Sequence, residues 1–185
     1  MVEKFPRFLR PPFEWYHLHI IKKFDSIVAC SKALQKHFYD IYNIKVGVVQ
    51  NGVNTDFFVP LSLEKKEELR KELGLSLNKI TYVTVGRLGE RKNFGLIIDA
   101  FKNINREDIQ LIIVGSGPLE DELKNKSAGD NRIIFVGSTP NPIVYYQASD
   151  IFISSSFAEG LPNTVLESLS CGLPCILSEI EPHKE

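Results

Sequence analysis

Short, β-branched apolar runs alternate along this chain with stretches of helical periodicity, and that rhythm limits its fold more than any other feature. Candidate strands lie at Ser26–Cys30, Val46–Gln50, Ile80–Val85, Gln110–Val114, Ile133–Val136, Ile151–Ser154 and Cys175–Leu177. Between them, helices are expected at Glu64–Leu73, Phe94–Asn103, Leu119–Lys126, Pro142–Ala148 and Asn163–Ser170. Repeated strand–helix–strand units build a parallel sheet with helices on both faces. The near-continuous hydrophobicity of the runs suits strands covered on both sides, and Gly74 and Gly172 stand where a left-handed residue ends a helix. The expected fold is therefore α/β, a Rossmann-like parallel sheet.

At 185 residues the chain holds one good core, or one domain with a piece of another. A net charge of −1 argues against nucleic acid as the main partner, which normally requires a basic surplus. No apolar run approaches the roughly 18 residues that span a bilayer, and the start has no signal-peptide core. Cys30, Cys171 and Cys175 cannot all pair, and Cys171 and Cys175 without a neighbouring histidine make a poor zinc motif. Reduced thiols in a cytoplasmic protein are the expectation.

Residues 54–62 break the strand–helix rhythm and read as a crossing, dividing the chain into residues 1–58 and residues 59–185. The charges of the helix that follows, from Glu64, read as a solvated face. The opening stretch Phe5–Phe24 is aromatic and basic; it reads as a helix packing its aromatics into a domain, with contact to an anionic membrane surface as the alternative.

In open parallel sheets, ligands bind beyond the carboxyl ends of the strands, so the residues there carry the functional argument. After Ile80–Val85 come Gly86, Arg87 and Lys92: a turn, a planar fork for phosphate oxygens and a mobile cation. After Gln110–Val114 comes Gly115-Ser-Gly117-Pro, a tight turn lacking the third glycine of a dinucleotide fingerprint. After Ile133–Val136, the loop from Gly137 offers backbone groups to a nucleobase. After Ile151–Ser154 comes Glu159-Gly-Leu-Pro-Asn-Thr-Val-Leu-Glu167, with Pro162 suited to a helix start. There the N–H groups of Asn163 and Thr164 would point outward as an anion site, while Glu159 and Glu167 would accept sugar hydroxyls. His183, beyond the last strand, reads as structural or exposed, and Asn51 and Gly52 as shaping the hinge side of the cleft. On the residues alone, a nucleotide-binding module without chemistry, a glycoside hydrolase using the two glutamates and an NAD enzyme remain open.

In order along the chain, Val28-Ala-Cys-Ser31, Asn51-Gly-Val-Asn54, Val85-Gly-Arg-Leu88 with Lys92-Asn93, Val114-Gly-Ser-Gly-Pro-Leu119, Phe135-Val-Gly137, Ser149-Asp-Ile-Phe-Ile153, Glu159-Gly-Leu-Pro-Asn163 through Glu167, Ser170-Cys-Gly-Leu-Pro174 and Glu181-Pro-His183 form a series. That series resembles the retaining GT-B glycosyltransferases of family 4, the glycosyl transferases group 1 domain. The resemblance implies sugar transfer from a UDP-, GDP- or ADP-sugar to a saccharide or lipid-linked acceptor, with anomeric configuration kept. Arg87 and Lys92 would hold the diphosphate and, with Glu159, act in catalysis. Gly86, Gly137, Gly160, Leu161, Asn163, Thr164 and Glu167 would bind the donor, Glu167 through the ribose. No cofactor or metal is implied, and a setting at the inner face of the membrane, in polysaccharide synthesis, is. Residues 1–58 would be the tail of an acceptor-binding domain and residues 59–185 a donor domain incomplete at its end. The expectation is a fragment that binds donor but transfers little sugar alone.

Overall fold

The structure, a computed structural model, describes residues 10–185, with side chains from Trp15 onward. It separates into two compact units, Met1–Gln50 and Asn51–Glu185.

Within the first unit, α1 (Arg10–Ile21) precedes β1 (Val28–Ala29), α2 (Lys32–Tyr42) and β2 (Gly47–Val48), and the two strands pair in parallel. Both strands are shorter than their apolar runs. Among the described residues its buried hydrophobic side chains are Ala29, Ile44 and Val46, too small a core to extend the ladder, and Val28 and Val49 face outward. Helix α2 was not expected, yet its ends are well specified. Ser31 Oγ accepts the Leu34 N–H at 3.0 Å. Asn43 takes φ 52°, closing the last turn with bonds from Asn43 N–H to Tyr39 O and from Ile44 N–H to Phe38 O. The opening helix departs from expectation: Trp15 and Tyr16 are 67% and 57% exposed, and Trp15 stacks on its own turn against His19. Among the described side chains of α1 only Leu18 reaches the small core, so Trp15 and Tyr16 are not packed inward. The part of Phe5–Phe24 before residue 10 lies outside the described residues.

The second unit contains α3 (Leu63–Glu72), β3 (Ile80–Val85), α4 (Phe94–Asn103), β4 (Ile109–Val114), α5 (Glu120–Lys126), β5 (Ile133–Gly137), α6 (Ile143–Ala148), β6 (Ile151–Ser154), α7 (Asn163–Ser170) and β7 (Cys175–Leu177). Its five strands are all parallel, in the order β5-β4-β3-β6-β7. Strand β4 shows why the runs read as continuous: all six residues are buried, but alternate ones serve opposite faces. Ile112 and Val114 join Val83, Tyr146, Phe152 and Val165 on one side, while Ile109, Leu111 and Ile113 join Ile97, Ile98 and Phe101 of α4 on the other. The polar exception, Gln110, is satisfied by Thr81 Oγ1 at 2.8 Å. Residues 51–58, assigned from sequence to the hinge, pack with this unit, Phe58 lying edge-on against Tyr146.

Helix α3 is more than a solvated charge run. Arg70 is buried, and it and Lys66 grip Asp150 at the foot of β6: Arg70 Nη2 donates to Oδ2 at 2.6 Å and Lys66 Nζ to Oδ1 at 2.7 Å. The Thr81 N–H donates to Oδ2 at 2.8 Å and Arg70 Nε to Ala148 O at 2.7 Å. Burial alone would push the Asp150 carboxyl up, but the hydrogen bonds from Lys66, Thr81 and Arg70 outweigh it and hold the group below the usual carboxylate range.

Candidate functional site

The chain leaves β3 outward to β4 and β5, then returns to the other side of β3 for β6 and β7. The reversal sets the carboxyl ends of β3 and β6 side by side, the place where such sheets bind ligands. Two loops meet there. Arg87 and Lys92 follow β3, and Glu159 follows β6.

The β3 loop is set by its neighbour. Gly86 N–H donates to Val114 O at 2.9 Å and Leu88 N–H to Ser116 O at 3.0 Å, so Arg87 sits between two residues fastened to the end of β4. A Cβ on Gly115 would lie 1.9 Å from Gly86 O, and one on Gly117 would lie 2.3 Å from Leu88 O. The Gly-Ser-Gly turn therefore has a packing reason: only glycine admits this approach. Leu88 is wholly buried against α4, adding about 2 kcal/mol of anchoring. Arg87 itself is exposed and has no ion pair among the described residues. Gly86 leaves room for the Lys92 stem, whose Cε would stand 3.1 Å from a Cβ there.

The β6 loop is tied to the β3 loop directly. Ser155 Oγ donates to Asn93 O at 2.7 Å and Phe157 N–H to Arg91 O at 2.9 Å. Across this seam Lys92 Nζ meets Glu159 Oε1 at 2.6 Å, the carboxylate side chain only 7% exposed. Ser156 Oγ donates to the same oxygen at 2.8 Å and lies 3.2 Å from Ser154 Oγ. Ser178, just past β7, donates its hydroxyl to Ser156 O at 2.7 Å. The His183 ring donates from Nδ1 to Ser178 O at 2.8 Å, and among the described residues its buried Nε2 has no hydrogen-bond partner.

The remaining expected residues line the same edge in different ways. Gly160 and Leu161 are half-buried in the loop before α7. Pro162 caps α7, so its first helical residues are Asn163 and Thr164, and the helix start has no side-chain cap. Asn51 Nδ2 donates to Leu161 O at 3.1 Å and to Asn163 Oδ1 at 2.9 Å, pinning this loop. Glu167 lies in the second turn of α7 and is not in the Lys92–Glu159 pair; its Oε2 accepts from Tyr146 Oη at 2.8 Å. Gly137, at φ 83°, accepts the Gly115 N–H at 2.7 Å, joining the β5 and β4 ends. Sequence reasoning singled out neither Ser156 nor Tyr146. A serine three residues before Glu159 was the available signal for the first; nothing distinguished the second from a core tyrosine.

Three free cysteines are present, and Cys171 is pushed up to about 11 by burial and by the Glu167 charge. Among the described residues no three His, Cys, Asp or Glu side chains gather as metal ligands, and no helix is long and apolar enough to cross a membrane.

The profile of the family described as glycosyl transferases group 1 matches residues 65–185. The UDP-Gal:alpha-D-GlcNAc-diphosphoundecaprenol alpha-1,3-galactosyltransferase of Escherichia coli is 35% identical over 145 residues, covering 74% of this chain and 37% of that protein. An uncharacterized glycosyltransferase of Methanocaldococcus jannaschii is 33% identical over 153 residues, covering 80% of this chain and 37% of that one. Among solved structures, Anabaena HepE in complex with UDP and glucose superposes with a TM-score of 0.76 at 23% identity, over 88% of this chain and 47% of that one. A glycosyltransferase from Rickettsia africae gives 0.76 at 24% identity, over 95% and 49%. The chain thus spans less than half the length of each of these proteins, and the structural likenesses establish a shared fold.

Proposed function

Because the chain belongs to the glycosyl transferases group 1 family, we propose that the carboxyl edge of its five-stranded sheet binds the donor of a glycosyl transfer, a sugar carried on a nucleoside diphosphate. The observation that carries this reading is the Lys92–Glu159 pair joining the β3 and β6 loops, with Arg87 on the same loop as Lys92 and without an ion pair among the described residues. Arg87 and Lys92 grip the diphosphate and stabilise the charge that grows on it as the bond to the sugar breaks, an electrostatic contribution of the kind that usually dominates such sites. The N–H groups at the start of α7 supply further donors. Together these groups take the place of a metal ion. Among the described residues Glu159 uses only Oε1, for Lys92 and Ser156, so Oε2 is left for a sugar hydroxyl. Glu167 receives the ribose, and the loop after Gly137 the base.

Transfer proceeds in this reading with retention, as in family 4, to a saccharide or lipid-linked acceptor. Names such as alpha-monoglucosyldiacylglycerol synthase, from a Streptococcus pneumoniae relative 29% identical over 80% of this chain and 36% of its own length, favour acceptors at a membrane surface. The cytoplasmic face is the proposed location.

A thermal-shift screen with UDP, GDP and ADP, each free and sugar-linked, tests the donor site. A ligand at about 100 times its Kd stabilises the folded chain by about 2.7 kcal/mol. The expected result is a raised Tm with one nucleotide series; no shift with any of the three would refute donor binding.

A further inference from the structure

We propose that Tyr146 is a positioning residue for ribose recognition, its phenol fixing the Glu167 carboxylate so that the free oxygen meets the donor's pentose hydroxyls. This inference rests on the reading of Glu167 as the ribose acceptor. Tyr146 is wholly buried on α6, with ring contacts to Phe58 at 6.2 Å and Phe152 at 6.1 Å and Val83, Ile112 and Val165 in the same apolar cluster. A phenylalanine would fill that space equally well, so packing does not explain the hydroxyl. Its partner is Glu167 Oε2, at 2.8 Å. A carboxylate can only accept, so the phenol donates.

The consequence falls on a long side chain. A half-exposed glutamate on a helix surface samples several rotamers, and ordering it on binding subtracts from affinity. Tyr146 removes that freedom beforehand, because its own ring is immobilised by the core. Among the described residues Oε1 has no hydrogen-bond partner, which leaves it available to a ligand. Burial, and then the Glu167 charge beside it, push the phenol far above its ordinary pKa, so the donor stays protonated throughout the working pH range.

The test compares UDP with 2′,3′-dideoxyUDP, and GDP and ADP with their dideoxy forms in parallel, by titration calorimetry on the whole chain. The native protein is expected to prefer the ribose form by about tenfold or more. Tyr146→Phe keeps the ring contacts, and a melting curve checks that it is folded. That variant should bring the preference within about threefold while the dideoxy affinity stays within about twofold, a split that a purely structural role would not produce. If Tyr146→Phe keeps the native preference while Glu167→Ala abolishes it, the tyrosine has no part in ribose recognition and the inference falls alone. If Glu167→Ala also keeps the preference, or no nucleotide binds, the ribose reading fails and takes the inference with it.

Discussion

Strand β6 carries a carboxylate cluster at each end, and the two are built to opposite specifications. At its foot Asp150 spends both oxygens within the protein, on Lys66, Arg70 and the Thr81 N–H. At its head Glu159 spends one oxygen, on Lys92 and Ser156, and the nearby Arg87 pairs with nothing among the described residues. Both clusters join side chains far apart in the chain. The first is saturated and so can only hold α3 against the sheet; the second has an acceptor and a cation left over. Unused polar capacity, more than the presence of charge, separates a ligand site from a strut.

The largest effect should come from breaking the strut. Asp150→Ala leaves the buried Arg70 guanidinium without its carboxylate, which typically costs about 3–5 kcal/mol, read as a lower urea midpoint with nucleotide affinity of the folded protein unchanged. The pH dependence follows the same group. Its pKa is lowered by folding, so its contribution is complete above the unfolded value of about 3.9 and is lost as the pH falls through the lower folded value. The native protein should therefore lose this stability only below about pH 4, and Asp150→Ala should flatten that part of the profile. A variant as stable as the native protein would erase the contrast between the two ends.

Next in size is Arg87→Ala. An exposed, unpaired arginine contributes little to the fold, so stability should hold within about 0.5 kcal/mol, while diphosphate-nucleotide binding weakens by about 1.5–3 kcal/mol. Lys92→Ala should lose affinity over the same range and destabilise the protein as well, since it strands Glu159 with a side chain only 7% exposed. Equal stability of the two variants would show that the Lys92–Glu159 contact holds nothing together.

Much of this layout was legible from residue order. The runs Ile80–Val85 and Ile151–Ser154 became strands with the expected bounds because β-branched residues fill them and glycine or serine ends them. With parallel strands assigned, the loops carrying Arg87, Lys92 and Glu159 had to share one edge of the sheet. The strut was not legible: the alternating charges of Leu63–Glu72 look solvated, and nothing local says that Arg70 will be buried beneath a carboxylate 80 residues away. Helix α2 was overlooked because its caps, Ser31 and Asn43, announce it more clearly than its apolar residues do. Lys92 and Glu159 were assigned separate duties, phosphate and sugar; that they pair depends on the seam between the two loops, a tertiary fact.

The smallest effect tests the head of β6 most finely. Ser156 touches the site through one hydrogen bond, to the oxygen of Glu159 that Lys92 also holds. Its backbone carbonyl, anchored by Ser178, survives substitution, so Ser156→Ala leaves the loop tied and removes only the hydroxyl. A bond of this kind contributes about 0.5–1.5 kcal/mol, and the loss should appear only where Glu159 is used. Calorimetry with UDP and UDP-glucose, or the corresponding pair for another preferred base, should show the free nucleotide binding as before and the sugar conjugate roughly two- to tenfold more weakly. An equal loss for both ligands would mean that Ser156 acts through Lys92 and the diphosphate, and the unspent oxygen of Glu159 would no longer mark where the sugar sits.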